Sequence, residues 1–426
     1  MTTANPNAAA SMPPIAAQPG PIAWMRKNLF SDLFNSALTV VVVAVLAYAA
    51  YGLLTWAFTV AQWAVIPNNI GLFMTGLYPS DLYWRVWVLL GFICLMAGLS
   101  WGVLGRNLST LYSRNVLIGI GVICAAILIL PFTRPGSLKL LPLVGVVAGT
   151  AWVGRAAARK FPKLGTWISI VWLLSLLPLY PLIFNPIPYI PLVPGTILGG
   201  IGYLFFGATD AAAPVNDWGG LVLTLLVAVA GIALCFPLGL LLALGRRSNL
   251  PAIKWLSTAY IELVRGVPLI SILFMGQVMI PLFLPDGMRP ERVARAVIGL
   301  TLFSAAYLAE NVRAGLQAIP RGQTEAASSL GVNKPLTMIL IVLPQALKIA
   351  IPAIVGQFIS LFQDTTLLSI VGLAELLGIS RSILANPTYL GRYAEVYLFI
   401  GVIYWFFCYA MSLGSRKIEE KLNTTH

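Results

Sequence analysis

Three polar side chains lie inside long apolar stretches of this sequence: Glu310, Gln357 and Asp364. An ionised carboxylate in the hydrocarbon region of a membrane is costly unless it is paired or hydrated. Such a group therefore either binds a cationic ligand or joins helices through hydrogen bonds. For Glu310 both interpretations stand: it meets the ammonium group of a substrate on a pathway across the membrane, or it is a packing carboxylate bonded to Asn311 or to a neighbouring helix.

Two pairs of residues have a spacing that a helix brings together. Gln357 and Asp364 are seven residues apart and share a helix face, where they line a pathway, close its outer gate or serve helix packing. Glu262 and Arg265 are three residues apart near a helix end, a spacing that predicts a surface ion pair. Alternatively, Arg265 contacts a partner protein or forms part of an inner gate.

A break in the helix is predicted where Gly266 and Val267 precede Pro268. Glycine and proline inside membrane segments often mark discontinuous helices around a pathway. Proline is also tolerated in membrane helices for reasons of packing alone, so the break by itself does not identify a gate.

A run of small and polar residues ends at a glycine between two apolar stretches. It reads Glu325-Ala326-Ala327-Ser328-Ser329-Leu330-Gly331, followed after nine residues by Ile341-Val342-Leu343-Pro344. Gln323 or Thr324 is the predicted cap of a short helix. Glu325 favours the first turn, and Gly331 fits the left-handed position after the end. Such a surface helix inserts into a groove of a partner, or the segment is a plain loop between two spans.

No set of residues in the chain predicts catalysis or nucleotide binding. The single histidine is the terminal His426, and the four cysteines lie in apolar runs without metal-ligand or redox spacing. The phosphate-binding loop of ATPases, Gly-x-x-x-x-Gly-Lys-Ser/Thr, does not occur in the sequence. We therefore expect no catalytic or metal site, and no cofactor on this chain.

The composition predicts an all-α polytopic membrane protein. Of 426 residues, 59% are hydrophobic and 10% are charged, the mean hydropathy is +0.87, and a soluble domain usually carries about 25% charged residues. Several apolar runs reach the roughly 20 residues that cross a bilayer as a helix. We predict about ten spans, near residues 35–60, 86–105, 115–131, 138–154, 166–184, 219–245, 267–284, 293–315, 345–367 and 395–414.

The net charge of +13 follows the positive-inside pattern and does not indicate nucleic-acid binding, because the basic residues lie in small clusters between apolar runs. With the N-terminus inside, 19 of the 27 basic residues fall on the inner side. This bias predicts both termini in the cytoplasm, although the cluster at 289–295 falls outside.

The chain divides by composition into five predicted segments. They are a disordered cytoplasmic tail at 1–34, accessory helices at 35–184, a proline-rich extracytoplasmic connection at 185–218, a core at 219–415 and a cytoplasmic tail at 416–426. Almost all of the polar residues discussed above lie in the core, which we expect to carry the function.

The run at 325–344 resembles the cytoplasmic loop of binding-protein-dependent ABC permeases, and every anchor position of that loop is present. Residues 260–269 resemble the "YIE-x-x-RG-x-PL" signature of the polar-amino-acid branch of that family, and residues 306–315 resemble its third core helix. Residues 364–367 resemble its "KDTSL" element, except that Gln363 stands where the family usually has lysine. The N-terminal spans and the start of the core resemble the larger permeases of general L-amino-acid importers.

The resemblance implies a five-helix type I importer core over 219–415, with a coupling helix at 321–331 that docks on an ATPase. It assigns ATPase coupling to Glu325, Ala326, Ala327, Gly331 and Pro344, and the substrate path or gate to Glu310, Gln357, Gln363, Asp364 and Thr365. The inner helix end comprises Glu262, Arg265, Gly266 and Pro268.

The implied partners are an ATP-binding cassette ATPase dimer that binds ATP and Mg²⁺, a second permease subunit, a periplasmic amino-acid-binding protein, an L-amino acid and membrane lipid. The implied location is the bacterial inner membrane. An ion-coupled secondary transporter is the alternative, but it would need inverted repeats and a midplane ion site, which the sequence does not show. An intramembrane enzyme would need a nucleophile or a metal, which the sequence does not supply.

Overall fold

The computed structural model describes residues 20–78, 80, 83–106, 110–129, 140–161, 163–174, 218–285 and 290–422. These residues are helical, without β-strands apart from two isolated backbone bridges, which confirms the all-α prediction. The end of the fifth predicted span and nearly all of the predicted connection at 185–218 lie outside the described residues.

The chain forms two compact units, of which the first ends at Gln62. It contains α1 (Pro21–Asn28) and α2 (Leu33–Thr55), and α2 continues as a π-helical turn to Val60. The prediction of disorder through residue 34 is wrong for α1. A proline in the first turn and two basic residues in the last turn favour that helix.

The second unit begins at Trp63, and its described residues before the core form two short helices and four longer ones. They are α3 (Val65–Asn68), α4 (Ile70–Thr75), α5 (Tyr83–Leu104), α6 (Arg114–Ile129), α7 (Leu141–Lys160) and α8 (Leu164–Leu174). The predicted end of the fourth span at residue 154 is wrong, because α7 continues to Lys160. Arg159 and Lys160 in its last turn stabilise the carboxyl end of the helix dipole.

Nine helices follow in the described residues 218–285 and 290–422. They are α9 (Gly220–Arg246), α10 (Pro251–Gly266), α11 (Leu269–Phe283), α12 (Arg292–Gln317), α13 (Arg321–Ser329), α14 (Lys334–Thr337), α15 (Leu343–Asp364), α16 (Leu376–Leu384) and α17 (Tyr393–Leu422). A π-helical segment, Met338–Val342, joins α14 to α15 without interruption.

Seven of the described helices are long and apolar enough to cross a membrane, and the count is eight if α10 and α11 form one bent span. The described parts of the third and fifth predicted spans form α6 and α8, and the remaining residues of both spans lie outside the described residues. The multi-span architecture is confirmed, although the described residues contain fewer full-length spans than the ten predicted.

Two predicted boundaries in the core are wrong. The ninth span was predicted to begin at residue 345, but the helix begins at Lys334 because the side chain of Asn333 caps it, accepting a bond from the Leu336 amide at 3.0 Å. The predicted tail from residue 416 is helical to Leu422, and Ser415 Oγ bonds to Glu419 across one turn at 2.8 Å.

Glycines allow α5 and α7 to pack in close backbone contact. Gly98 and Gly102 of α5 form a Gly-x-x-x-Gly motif, and a Cβ atom at either position would overlap with the Thr150 or Ala151 region of α7. A Cβ atom at Gly154 would lie 2.7 Å from the Leu99 carbonyl oxygen. The predicted accessory helices therefore contain a specific helix pair.

We expect Gly102→Ala to destabilise this helix pair, because the added methyl group meets backbone atoms that cannot move aside. Thermal unfolding of the purified protein in detergent measures the effect. Gly91→Ala is the matched control on the same helix, since a Cβ atom there meets no atom within 4 Å. Equal unfolding temperatures for the two variants would show that the close contact does not support stability.

Residues 63–78 fall in the predicted accessory part, but the structure packs them in the core. Val65, Ile66 and Phe73 share an apolar cluster with α16 and α17, and the Phe73 and Phe399 rings lie 5.1 Å apart. The Gly219 amide donates to the Thr75 carbonyl oxygen at 3.2 Å, at the start of α9. This correction has a physical cause: the short helices α3 and α4 bury their apolar side chains only against the core.

Candidate functional site

The predicted coupling segment is helix α13, which follows α12 after a short turn. It begins at Arg321, and its N-cap is Pro320 without a side-chain cap bond. The predicted caps Gln323 and Thr324 are therefore wrong, and Glu325 lies in the second turn instead of the first. The helix starts earlier because Pro320 ends the turn after α12 in extended backbone, with φ −60° and ψ 141°.

The end of α13 agrees with the prediction. Gly331 has φ +75°, so the left-handed position is confirmed. The Gly331 amide donates to the Ser328 carbonyl oxygen and the Val332 amide donates to that of Ala327, both at 3.0 Å. These two bonds define a Schellman motif, which satisfies the last carbonyl groups of the helix and fixes its length.

Helix α13 exposes almost its whole surface. Ala327 is its one buried residue, while Glu325 and Ala326 are exposed and Leu330, just beyond the helix, keeps 83% of its surface exposed. Gln345 Nε2 of α15 donates to Gln323 Oε1 at 3.3 Å. A short, exposed helix bonded to the following span has the form of an element that inserts into a groove of a partner protein.

A cluster of charged side chains lies where α9, α10 and α12 meet. Glu310 Oε1 accepts from Arg246 at 2.5 Å, and Glu310 Oε2 accepts from Arg313 at 2.7 Å. Arg265 lies 3.7 Å from the same carboxylate. Arg246 also bonds Glu262 at 2.8 Å. We call these five residues the arginine–glutamate cluster.

The cluster changes the interpretation of Glu310. This residue lies in the last third of α12, and only 14% of its side chain is exposed. Asn311 bonds to the Ala353 carbonyl oxygen at 3.1 Å and not to Glu310. Three guanidinium groups already occupy the carboxylate, so the geometry favours a role in joining helices over one in binding a substrate ammonium group.

The predicted ion pair between Glu262 and Arg265 is wrong, because each residue turns to another helix. Glu262 bonds Arg246 of α9, while Arg265 approaches Glu310 and lies over the Tyr307 ring at 5.5 Å. The ends of α9 and α12 are joined as well, since Arg247 bonds the Leu316 carbonyl oxygen at 3.1 Å. The inner helix end of the prediction is therefore a contact among three helices.

The predicted break at Gly266 and Pro268 is confirmed as a feature of the fold. Helices α10 and α11 meet at an angle of 105°, and Val267 between them has extended backbone. Because α10 carries two members of the arginine–glutamate cluster, the bend fixes where the cluster lies relative to α11.

The predicted gate residues of α15 do not form one bonded group among the described residues. Thr365 is fully buried, and its hydroxyl donates to the Phe362 carbonyl oxygen at 2.6 Å. Gln363 is exposed, and its amide lies 3.6 Å from Cys408 Sγ. Gln357 and Asp364 are half-buried. The roles of these four residues in a path or gate stay predictions.

Glu375 is a buried carboxyl group that sequence reasoning missed. It has no exposed surface, caps α16 by accepting from the Leu377 and Gly378 amides at 2.9 Å and 2.8 Å, and accepts from the Tyr404 hydroxyl at 3.3 Å. Burial raises the pKa of Glu375 to about 7. Glutamate is uncommon as an N-cap, so local sequence provides little signal for this position.

The raised pKa of Glu375 predicts a pH dependence of stability. The unfolded group titrates near 4.3 and the folded group near 7, so the folded protein binds the proton more tightly between these values. The contribution of Glu375 to stability therefore falls as the pH rises from about 4.5 to about 7, and then levels off. We expect Glu375→Gln to flatten this slope in thermal unfolding measured from pH 4.5 to 8. Parallel profiles for wild type and variant would contradict the assignment.

Sequence comparisons identify the family of this fold. Residues 235–424 match the family described as "Binding-protein-dependent transport system inner membrane component". The inner membrane amino-acid ABC transporter permease protein YhdY of Escherichia coli is 36% identical, with 95% of this chain and 93% of that protein covered. This chain belongs to the amino-acid ABC transporter permease family.

A second relative also matches the permease over nearly its full length. The glutamate/glutamine/aspartate/asparagine transport system permease protein BztC of Rhodobacter capsulatus is 35% identical, with 98% of this chain and 97% of that protein covered. The matches extend through the N-terminal helices, so these helices belong to the larger permeases of the family. A solved amino acid ABC transporter "with histidines" is 33% identical, covers 47% of this chain and 92% of that chain, and has a TM-score of 0.43.

Proposed function

We propose that this permease forms part of the pathway of an ATP-driven importer for L-amino acids in the bacterial inner membrane. The relatives are named as amino-acid permeases, and the family is an inner membrane component of binding-protein-dependent transport. The observation that carries the proposal is helix α13, exposed along its length and closed by a Schellman motif at Gly331. Its form fits a groove of a separate ATPase.

The other partners follow from this arrangement. A dimer of ATPase subunits binds ATP and Mg²⁺ and grips α13, because this chain has no phosphate-binding loop of its own. A second permease subunit, a paralogue of this chain, completes the pathway. A periplasmic binding protein delivers the amino acid to the outer face.

Coupling is mechanical in this proposal. The ATPase moves α13, and α13 is joined through a short turn to α12 and through Gln345 to α15. Helix α12 carries Glu310, which joins the inner ends of α9 and α10. Movement of α13 therefore reaches three core helices as one body. ATP binding opens the path outward, and hydrolysis resets it.

The substrate class rests on the named relatives. Residue 363 is the candidate that sets the preference for acidic or neutral amino acids. This residue stands where the family usually has lysine. Gln363 is exposed beside the half-buried Asp364. Because glutamine is neutral, this part of α15 lacks the positive charge that a lysine would carry. Gln363→Lys should raise uptake of acidic relative to neutral amino acids, measured as competition against a labelled substrate. An unchanged ratio would place residue 363 outside the path.

Co-purification with the partner ATPase tests the proposal. We expect a protein with a phosphate-binding loop to co-purify with the tagged permease after co-expression with its genomic neighbours, and to be lost with Glu325→Lys on α13. Glu420→Lys is the matched control, because Glu420 is exposed on the last helix, far along the chain from α13. If the Glu325→Lys variant retains the ATPase, the proposal that α13 is the docking element is wrong.

A further inference from the structure

The helices α5 to α8 carry an unbalanced positive charge. Between Asp81 and Asp210 the sequence has no acidic residue, while nine of its basic residues fall in the same interval. Positive-inside topology requires basic residues on one side, but it does not require the exclusion of acidic ones. Six of the nine lie on the side that the positive-inside count assigns to the cytoplasm, where their charge attracts an anionic ligand.

The described contacts place the cationic side chains at one end of these helices. Gly98 lies against Thr150 and Gly102 against Ala151, so α5 and α7 run parallel and end on the same side. A Cβ atom at Gly165, near the start of α8, would lie 3.4 Å from Val103 near the end of α5. The Trp101 and Tyr112 rings lie 5.8 Å apart, which brings the start of α6 to this end too.

We call this region the basic end, defined by five exposed residues: Arg106, Arg114, Arg159, Lys160 and Lys163. None of the five makes an ion pair with a described residue. The positive-inside count assigns this end to the cytoplasm. Their charges are therefore exposed and available to a ligand.

An apolar surface adjoins the basic end. Trp152 on α7 is 64% exposed, Phe161 after α7 is 64% exposed, and Trp167 on α8 is 63% exposed. Trp167, near the start of α8, has the position of a tryptophan at the depth of the lipid headgroups, while Trp152 lies eight residues before the end of α7, on the acyl-chain side. A ligand that fits both surfaces has an anionic head and acyl chains.

We propose that the basic end is a binding site for anionic phospholipid, with the headgroup phosphodiester held by Arg159, Lys160 and Lys163 and the acyl chains against Trp152 and Trp167. Each basic residue near an anionic leaflet contributes about 1 kcal/mol. An acidic soluble protein would match the charge but not the exposed aromatic side chains. Bound lipid would hold together the inner ends of α5, α7 and α8. This inference does not depend on the proposed ATPase docking.

Lipid-dependent stability tests the proposal on the full chain. The delipidated protein in detergent is titrated with phosphatidylglycerol, phosphatidylcholine or inorganic phosphate, and thermal unfolding is followed. We expect phosphatidylglycerol alone to raise the unfolding temperature, less so at high salt. The variant Arg159→Gln/Lys160→Gln should weaken the apparent affinity for phosphatidylglycerol roughly thirtyfold. It removes two charges worth about 1 kcal/mol each, and 1.4 kcal/mol corresponds to a tenfold change in affinity.

The matched control is Arg416→Gln/Lys417→Gln, an exposed Arg-Lys pair near the end of α17 with Glu419 and Glu420 close by in sequence. It should retain the wild-type response. Lys163→Gln, which lies between two helices, serves if the double variant does not fold. An equal response to phosphatidylcholine, reproduction by inorganic phosphate, or an unchanged response in the Arg159 and Lys163 variants would overturn the proposal.

Discussion

Glu310→Gln lowers the stability of the folded permease and its transport rate together. The substitution removes the carboxylate charge that three arginines share and leaves those guanidinium groups close together. Breaking a buried ion pair by removing one partner costs about 3–5 kcal/mol. We expect a value of about 3 kcal/mol, at the low end, because Arg265 and Arg313 keep part of their side chains exposed. Thermal unfolding and uptake in reconstituted vesicles measure the two effects.

Glu262→Gln is the matched control for Glu310. Both carboxylates bond Arg246, but the Glu262 side chain is 56% exposed while that of Glu310 is 14% exposed. We therefore expect Glu262→Gln to cost less than about 1 kcal/mol. If Glu310→Gln instead unfolds like the wild type and changes only the substrate preference, Glu310 binds substrate and the cluster does not join the helices.

Substitution of Gly331 tests whether the Schellman motif that ends α13 is needed for the proposed ATPase docking. Gly331 has φ +75°, and a Cβ atom there would meet no atom within 4 Å, so backbone conformation is the sole restriction among the described residues. Gly331→Val should disrupt the Schellman motif, at about 1–2 kcal/mol for the left-handed conformation, and lose most of the bound ATPase. The fraction of ATPase that co-purifies with the permease measures this loss.

Gly331→Asn is the control, because asparagine adopts the left-handed conformation at lower cost than other residues with a side chain. The Gly331→Asn variant should retain most of the ATPase, although the asparagine side chain is similar in size to that of valine. Equal retention by Gly331→Val and Gly331→Asn would show that the conformation after α13 does not matter for docking. Equal loss in both would point to contact of the glycine surface itself with the ATPase.

Hydropathy and local residue types predicted several elements closely. The spans at 219–245 and 293–315 differ from α9 (Gly220–Arg246) and α12 (Arg292–Gln317) by two residues at most, because long apolar runs mark them directly. The left-handed glycine after α13 followed from residue type alone. Local sequence predicts the features that depend on residues within about one helix turn of each other.

Two boundary or packing features had a signal that the prediction did not use. Asn333, two residues before Pro335, is a helix-start signal, and the ninth span begins at Lys334, eleven residues before the predicted position 345. The Gly-x-x-x-Gly motif at 98–102 predicts close packing in a membrane helix.

Other features had no local signal. Arg246 and Glu310 are 64 residues apart, and their contact depends on how three helices cross. The bond between Gly219 and Thr75 joins residues from either side of the predicted connection, so composition alone could not place residues 63–78 in the core. The burial of Glu375 had no local signal for a similar reason, because it results from the packing of α17 over the N-cap of α16.

ATP-dependent uptake in proteoliposomes tests the central claim most directly. The permease, its co-purified ATPase and second permease subunit, and the binding protein are reconstituted with ATP on the ATPase side, and all ion gradients are collapsed by ionophores. The account predicts accumulation of labelled L-amino acid that needs hydrolysable ATP and is lost with Glu325→Lys. Accumulation by the permease without ATPase, driven by a proton or sodium gradient, would contradict it.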